Sequence, residues 1–346
     1  MIIELNTTQQ KKYDDFLSCF IEYPHIREIY DCFDRLRFFQ RRHTALSNNQ
    51  GADVPCMLLS GDSGSGKSAL INHYRKVTEA SQDIASKNIP VLVVRIPEIP
   101  ELEKLLAHML NELGHFGAEY RLGRSKELGL TKALFKSLHY KKTELIIINE
   151  VQELIEYKTP KECTAISNRL KYISEESGVP LVFVGMPWAE KILEDPQWQS
   201  RITYTQFLPY FKVSDKEQKD HFVKIINGLC MRMGFQTPPI LNDAHTIKAL
   251  FYICAGQMRS LKHLLNDALY LALSQNDETI TESHLSEAYN LRGNSKLNPF
   301  SLSTEEIHIK EVKDYSRLNT NSHGPSDRIL NTNFIDILPI TQILKK

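Results

Sequence analysis

The chain has 346 residues, 42% of them hydrophobic and 24% charged, with 42 basic residues against 42 acidic ones. That length fits two or three compact units with a sizeable core, and the composition is ordinary for a soluble protein. A net charge of zero excludes nucleic-acid binding through a global field, so any such contact must come from a local patch. Cys19, Cys32, Cys56, Cys163, Cys230 and Cys254 form no C-x-x-C pair and no zinc spacing, so they read as reduced core residues rather than a disulfide framework. The start, MIIELNTTQQKKYDDF, has no signal-peptide pattern, and no apolar run approaches the roughly 18 residues of a membrane span. The expectation is a cytoplasmic protein with no membrane contact.

Residues 7–46 read as helical. Thr7 or Thr8 can cap a helix carrying Tyr13, Phe16, Leu17 and Phe20. Pro24 restarts the pattern, and Ile26, Ile29, Tyr30, Phe33 and Leu36 recur at helical spacing as core. Residues 35–43, RLRFFQRRH, form a basic cluster with aromatics, either a solvated helix face or a phosphate contact. Turn chemistry in SNNQGADVP sets off 1–50 as an N-terminal helical segment. Apolar runs then follow at 56–60, 91–97, 144–149, 180–185 and 202–211, with helical patterns at 67–80, 101–113, 126–139, 161–177 and 188–194. Short Val/Ile/Leu runs alternating with helices predict an α/β unit over 51–212, a parallel sheet covered by helices. From Ser214 the strands stop. Four amphipathic helices, separated by Gly234, Gly256 and Asn276–Asp277, predict a helical lid over 213–293. In the tail, 294–346, polar residues 319–333 read as a flexible tether and residues 334–344 as an apolar hook. The hook either docks on this chain or a neighbouring copy, or is presented to a partner.

The chemistry centres on GDSGSGKS: Gly61, Asp62, Ser63, Gly64, Ser65, Gly66, Lys67 and Ser68. The spacing is that of a phosphate-binding loop between a strand and a helix. Glycines let the backbone N–H groups face phosphate oxygens, and the helix from Lys67 adds its dipole. Lys67 can reach the β- and γ-phosphates, and the Ser68 hydroxyl can hold Mg²⁺. A second acidic site is expected at the end of a neighbouring strand, and LIIINE supplies Asn149 and Glu150. An amide at 149 accepts from a metal-bound water but brings no charge, while Glu150 can serve as the base. After the next strand, a polar γ-phosphate contact is replaced by Met186, which cannot hydrogen-bond phosphate usefully. Arg201, before the last strand, and Arg259, opening a lid helix, have the planar fork suited to phosphate. Arg121, Arg124, Lys126, Lys132, Lys136, Lys141 and Lys142 face one acid, Glu127. This stripe either tracks nucleic-acid phosphates or is a solvated helix face.

GDSGSGKS, LIIINE, QSRI before the last strand and AGQMRSL in a helical lid together resemble the AAA+ ATPases over residues 51–293. The lead EYPHIREIYDCFDRL, NEVQEL, VFVGMPWAEKIL and DPQWQSRI are similar to the TniB/TnsC family of transposition regulators. The resemblance implies an AAA+ P-loop fold with a C-terminal helical lid. It implies that Lys67 and Ser68 bind ATP–Mg²⁺, that Asn149 and Glu150 form the second acidic site, and that Arg259 is a lid sensor. Arg201 would reach a neighbouring subunit's ATP. It further implies rings or filaments on double-stranded DNA that link a target-selector complex, in some members CRISPR-guided, to the transposase subunits. Asn149 and Met186 depart from the commoner AAA+ pattern and point to slow hydrolysis. Two other functions share parts of this pattern: an origin-recognition or helicase-loading ATPase, and a signalling or secretion-accessory ATPase with no DNA role.

Overall fold

The computed structural model describes residues 4–45, 53–81, 87–96, 102–115, 127–154, 160–293, 297–309 and 311. The elements in chain order are α1 (Thr7–Ser18), α2 (Pro24–Ala45), β1 (Cys56–Gly61), α3 (Lys67–Ala80), β2 (Val91–Arg95), α4 (Leu102–Glu112), α5 (Glu127–Tyr140) and β3 (Leu145–Asn149). They continue with α6 (Pro160–Ser177), β4 (Leu181–Gly185), α7 (Pro196–Gln199), β5 (Ile202–Leu208), α8 (Lys216–Met231), α9 (Ala244–Cys254), α10 (Met258–Gln275) and α11 (Glu282–Leu291).

The strands form one sheet in the order β2-β3-β4-β1-β5, and every pairing is parallel. Their side chains alternate between two buried faces, which is why the strands read as unbroken apolar runs. Leu58, Ile146, Ile148 and Phe183 pack towards α4, α5 and α6. Met57, Leu59, Ile147, Val182 and Val184 pack towards α2 and α3. The register sets Ser60 opposite Gly185 and Val184 opposite Asn149, so β1, β4 and β3 end at one level. The loops that leave those ends therefore meet at the C-terminal edge of the sheet, the usual place for a ligand in such folds.

The N-terminal segment divides between two cores. Asn6, not Thr7 or Thr8, caps α1: its side chain accepts the Gln9 N–H, and the Gln9 side chain accepts the Asn6 N–H. Asparagine reaches back across the first turn in this way, and Thr7 is already helical. Phe16 on α1 is fully buried among helical-unit residues such as Phe222, Leu229 and Leu265. Gln9 Nε2 donates to the carbonyl of Leu273, and Lys262 Nζ donates to the carbonyls of Leu17 and Cys19. α2, by contrast, lies on the sheet through Ile26, Ile29, Phe33 and Leu36. In the basic cluster, Arg37 is neither a solvated face nor a phosphate contact. It is half-buried, in an ion pair with Glu144 at 2.8 Å, and donates to the Tyr74 hydroxyl.

The helical unit also continues past Gly293. Phe300, Ile307 and Ile309 are buried in its core. Lys248 Nζ donates to the Thr304 carbonyl, and the Glu311 carboxylate accepts from the Ser214 N–H and hydroxyl. Three apolar anchors in a segment without regular periodicity leave little trace in the sequence. The expected tether and hook lie outside the described residues. Among the described residues no helix is long and apolar enough to cross a membrane. Because Phe16 fills the helical core, Phe16→Ala is expected to cost about 3–5 kcal/mol in denaturant unfolding. A cost near zero would mean that α1 is not part of that core.

Candidate functional site

The loop after β1 turns through two left-handed glycines, Gly64 at φ +80° and Gly66 at φ +111°. Gly64 has a second constraint: a Cβ there would lie 2.9 Å from the Gln257 side chain. Gly66 starts α3 without a side-chain cap, which leaves the first helical N–H groups facing the cavity edge. Lys67 is the first residue of α3 and only 7% exposed. Its ammonium donates back to the loop, to the Gly61 carbonyl at 2.6 Å and the Asp62 carbonyl at 2.9 Å, with the Met186 sulfur 3.9 Å away. Burial pushes its pKa down to about 8, against the pull of Glu150 and Asp62 and with some help from Arg259.

A cavity of 470 Å³ opens beside this lysine. Loop residues 63–68, Glu150, Met186 and Arg259 line its polar side, and Phe20, Ile21, Tyr23, Leu229 and Met258 are among its apolar lining. Ser68 is exposed at the cavity edge. Glu150 follows β3 in a left-handed conformation, φ +61°, and its carboxylate accepts from Gln152 Nε2 at 2.7 Å. Asn149 Oδ1 is buried without a hydrogen-bond partner among the described residues. Arg259 is exposed, and its backbone N–H donates to the Gly64 carbonyl at 3.1 Å. Two neighbours fix the loop from the same side: the Tyr210 hydroxyl at 2.5 Å and Gln257 Nε2 at 2.9 Å both donate to the Ser63 carbonyl.

The structure therefore brings Ser63–Ser68, Glu150 and Arg259 to one cavity, while Gly61 and Asp62 lie behind its wall, where their carbonyls hold the Lys67 ammonium, and Asn149 precedes Glu150. Arg201 is elsewhere. Its carbonyl accepts the Cys56 N–H at the start of β1, the far end of the sheet from the loop. Its guanidinium pairs with Glu175 at 2.5 Å and donates to the Gln197 carbonyl. Lys132 and Lys136 are exposed one turn apart on α5, while Arg121, Arg124 and Lys126 lie outside the described residues. Sequence reasoning gave Gln152, Tyr210 and Gln257 no site role. Gln152 and Gln257 lie inside NEVQEL and AGQMRSL, which carry the family resemblance, and Tyr210 lies in the last apolar run, so only their place in those stretches hinted at them.

The residues suit a nucleotide triphosphate: uncapped helix N–H groups and a buried ammonium for phosphates, and an apolar recess for a ring. Among the described residues no group of three His, Cys, Asp or Glu could hold a metal alone. The Ser68 hydroxyl at the cavity edge fits a magnesium ion whose other ligands are water and phosphate oxygens, and the unpartnered Asn149 acceptor fits a hydrogen bond from such a water.

Sheet order, phosphate loop and adjoining helical unit define the AAA+ P-loop ATPase fold. The chain belongs to the TniB family: the family model described as bacterial TniB protein matches residues 18–212, more than half of it. No curated protein sequence matches the chain. Among solved structures, the Aeropyrum pernix ORC2 protein in its ADPNP–ADP complexes is similar at 18% identity and TM-score 0.60, over 80% of this chain and 71% of that one. The Aeropyrum pernix ORC1 protein in complex with DNA gives 17% identity and TM-score 0.56, over 82% and 69%. Drosophila ORC bound to DNA gives 14% identity and TM-score 0.52, over 84% and 67%. At these identities the likeness is one of fold.

The Lys67 ammonium carries a pH prediction. Its pKa near 8 must rise when phosphates sit beside it, because they favour the charged form. ATP binding is then expected to take up a fraction of a proton at about pH 8.5 and almost none at about pH 7, with affinity falling as pH rises through 8 to 9. Calorimetry in buffers of different ionisation heat measures this. Equal heats at the higher pH would mean that Lys67 is already fully charged before ATP binds.

Proposed function

We propose that this protein is an ATP-dependent, DNA-binding oligomeric regulator of transposition that acts in the cytoplasm and links a target-selector complex to the transposase. The observation that carries the nucleotide half is the convergence of Lys67, Glu150 and Arg259 on one cavity between the sheet and the helical unit. Membership in the TniB family supports the transposition half. Origin-recognition proteins share the fold, and two of the similar structures contain DNA, which also supports DNA contact here.

In this reading the α3 N-terminus and Lys67 hold the β- and γ-phosphates, and the apolar recess takes the base. When bound, Mg²⁺ supplies charge neutralisation on the phosphates, with Ser68 as its protein contact and Asn149 reached through a bound water. Glu150 orients the attacking water and accepts its proton. Arg259 closes on the γ-phosphate from the helical unit, so the lid registers whether that phosphate is present. Hydrolysis is slow for two reasons. Asn149 lacks the charge of a carboxylate, and Met186, whose sulfur lies against Lys67, cannot hydrogen-bond phosphate usefully. Arg201 works in trans. It faces away from its own cavity, and a neighbouring copy that draws it from Glu175 would bring it to a second nucleotide. Lys132 and Lys136, with Arg121, Arg124 and Lys126, supply a sequence-tolerant surface for duplex phosphates.

The test is co-sedimentation with duplex DNA, with and without ATP. Wild-type protein is expected to assemble with ATP, and Lys67→Ala is expected to lose both ATP binding and assembly. Undiminished assembly of Lys67→Ala would sink the nucleotide switch. In the same preparations Arg201→Ala should bind ATP normally and lose turnover by about 100-fold or more. Normal turnover in that variant would remove Arg201 from the reaction.

A further inference from the structure

Gln152 lies in the short 3₁₀ turn after β3, Val151–Leu154, and is only 6% exposed. Its amide is used at both ends. Nε2 donates to the Glu150 carboxylate at 2.7 Å, and Oε1 accepts the Met186 N–H at 3.1 Å. This is the one orientation of the amide that satisfies a carboxylate and an N–H together, since a carboxylate only accepts and an N–H only donates. The neighbouring backbone is shaped around it. Gly185, the last residue of β4, leaves the space: a Cβ there would lie 2.8 Å from Gln152 Oε1 and 2.9 Å from Val151 Cγ1. Glu150 itself is held at φ +61°, a conformation costly for a residue with a side chain. Such a conformation persists only where its surroundings fix it.

We propose that Gln152 is a positioning residue for Glu150. It ties the carboxylate to the end of β4 through one buried amide. Glu150 is half-buried on a strained backbone, and the amide ties its carboxylate at the cavity wall. Met186, the other anchor, has its sulfur against Lys67. The phosphate-binding lysine, the end of β4 and the Glu150 carboxylate thus form one connected set, and a shift of Lys67 towards phosphate is felt at Met186 and through Gln152 at Glu150. The inference rests on the hydrolysis reading above, since Glu150 needs positioning only if it acts on water.

Two variants separate positioning from support. Gln152→Met keeps the length of the side chain, adds no charge and loses both bonds. Gln152→Glu keeps the acceptor for the Met186 N–H and sets a second carboxylate against Glu150, so the pair repels or shares a proton. Turnover with its pH profile, ATP affinity and melting temperature are measured on the full chain in each. Gln152→Met is expected to lose about 10- to 100-fold in kcat with ATP affinity near wild type, and its unpaired buried groups lower the melting temperature without unfolding the chain. Gln152→Glu is expected to shift the pH profile of kcat, because the shared proton belongs to the pair. Wild-type kcat in Gln152→Met would overturn the proposal, because neither amide bond would then be needed. A loss of ATP affinity in step with kcat would also overturn it, marking a structural residue. Wild-type protein that binds ATP without any turnover would overturn the hydrolysis reading and this proposal together, an outcome distinct from the other two.

Discussion

The site depends on the contact between the phosphate loop and the first turn of α10. Ser63 offers one carbonyl to two donors, Tyr210 and Gln257, and the Gly64 carbonyl takes the Arg259 N–H. These bonds join the sheet to the helical unit at the point where the cavity opens. A Cβ at Gly64 would strike Gln257, so the loop can lie this close only as glycine. α10 then extends the connection: Lys262, one turn beyond Arg259, donates to the carbonyls of Leu17 and Cys19 at the end of α1. The link from α1 to α2 consequently runs along the apolar side of the cavity, where Phe20, Ile21 and Tyr23 line it.

A second constraint is the level at which the strands end. Parallel pairing with Ser60 opposite Gly185 and Val184 opposite Asn149 puts the loop, Met186 and Glu150 on one rim. Among the described residues Lys67 has no counter-ion in hydrogen-bond contact and turns to two carbonyls and a sulfur instead. Neutral acceptors only partly repay the desolvation of an ammonium, which is why its pKa drops. A buried ammonium solvated by the loop that surrounds it is poised for an anion, since phosphate oxygens offer the charge that the carbonyls lack.

Much of this was legible in the sequence where the signal is local. The strand 56–60 and helix 67–80 are found as Cys56–Gly61 and Lys67–Ala80, because the glycine loop between them fixes both boundaries. The order of Lys67, Glu150, Met186 and Arg259 along the chain anticipated their convergence, since a helix-covered parallel sheet brings strand ends together. What was not legible depends on distant partners. Phe16 and Phe33 sit in similar aromatic-rich helices, yet one packs in the helical unit and the other on the sheet. Periodicity gives a buried face and does not say against what. Arg37 reads in sequence as part of a basic cluster, because its partner Glu144 is 107 residues away. Gln152 and Tyr210 are single polar residues, and their worth lies wholly in which atom they reach.

In the function proposed above, the phosphate loop, the start of α10 and the link between α1 and α2 build one nucleotide site together. Amide hydrogen exchange with and without ATP and Mg²⁺ reads all three at once. ATP is expected to slow exchange together in residues 61–68, 257–266 and 16–23, three segments far apart in sequence. Protection confined to the loop, with the other two segments unchanged, would mean that α10 and the α1–α2 link take no part in the site.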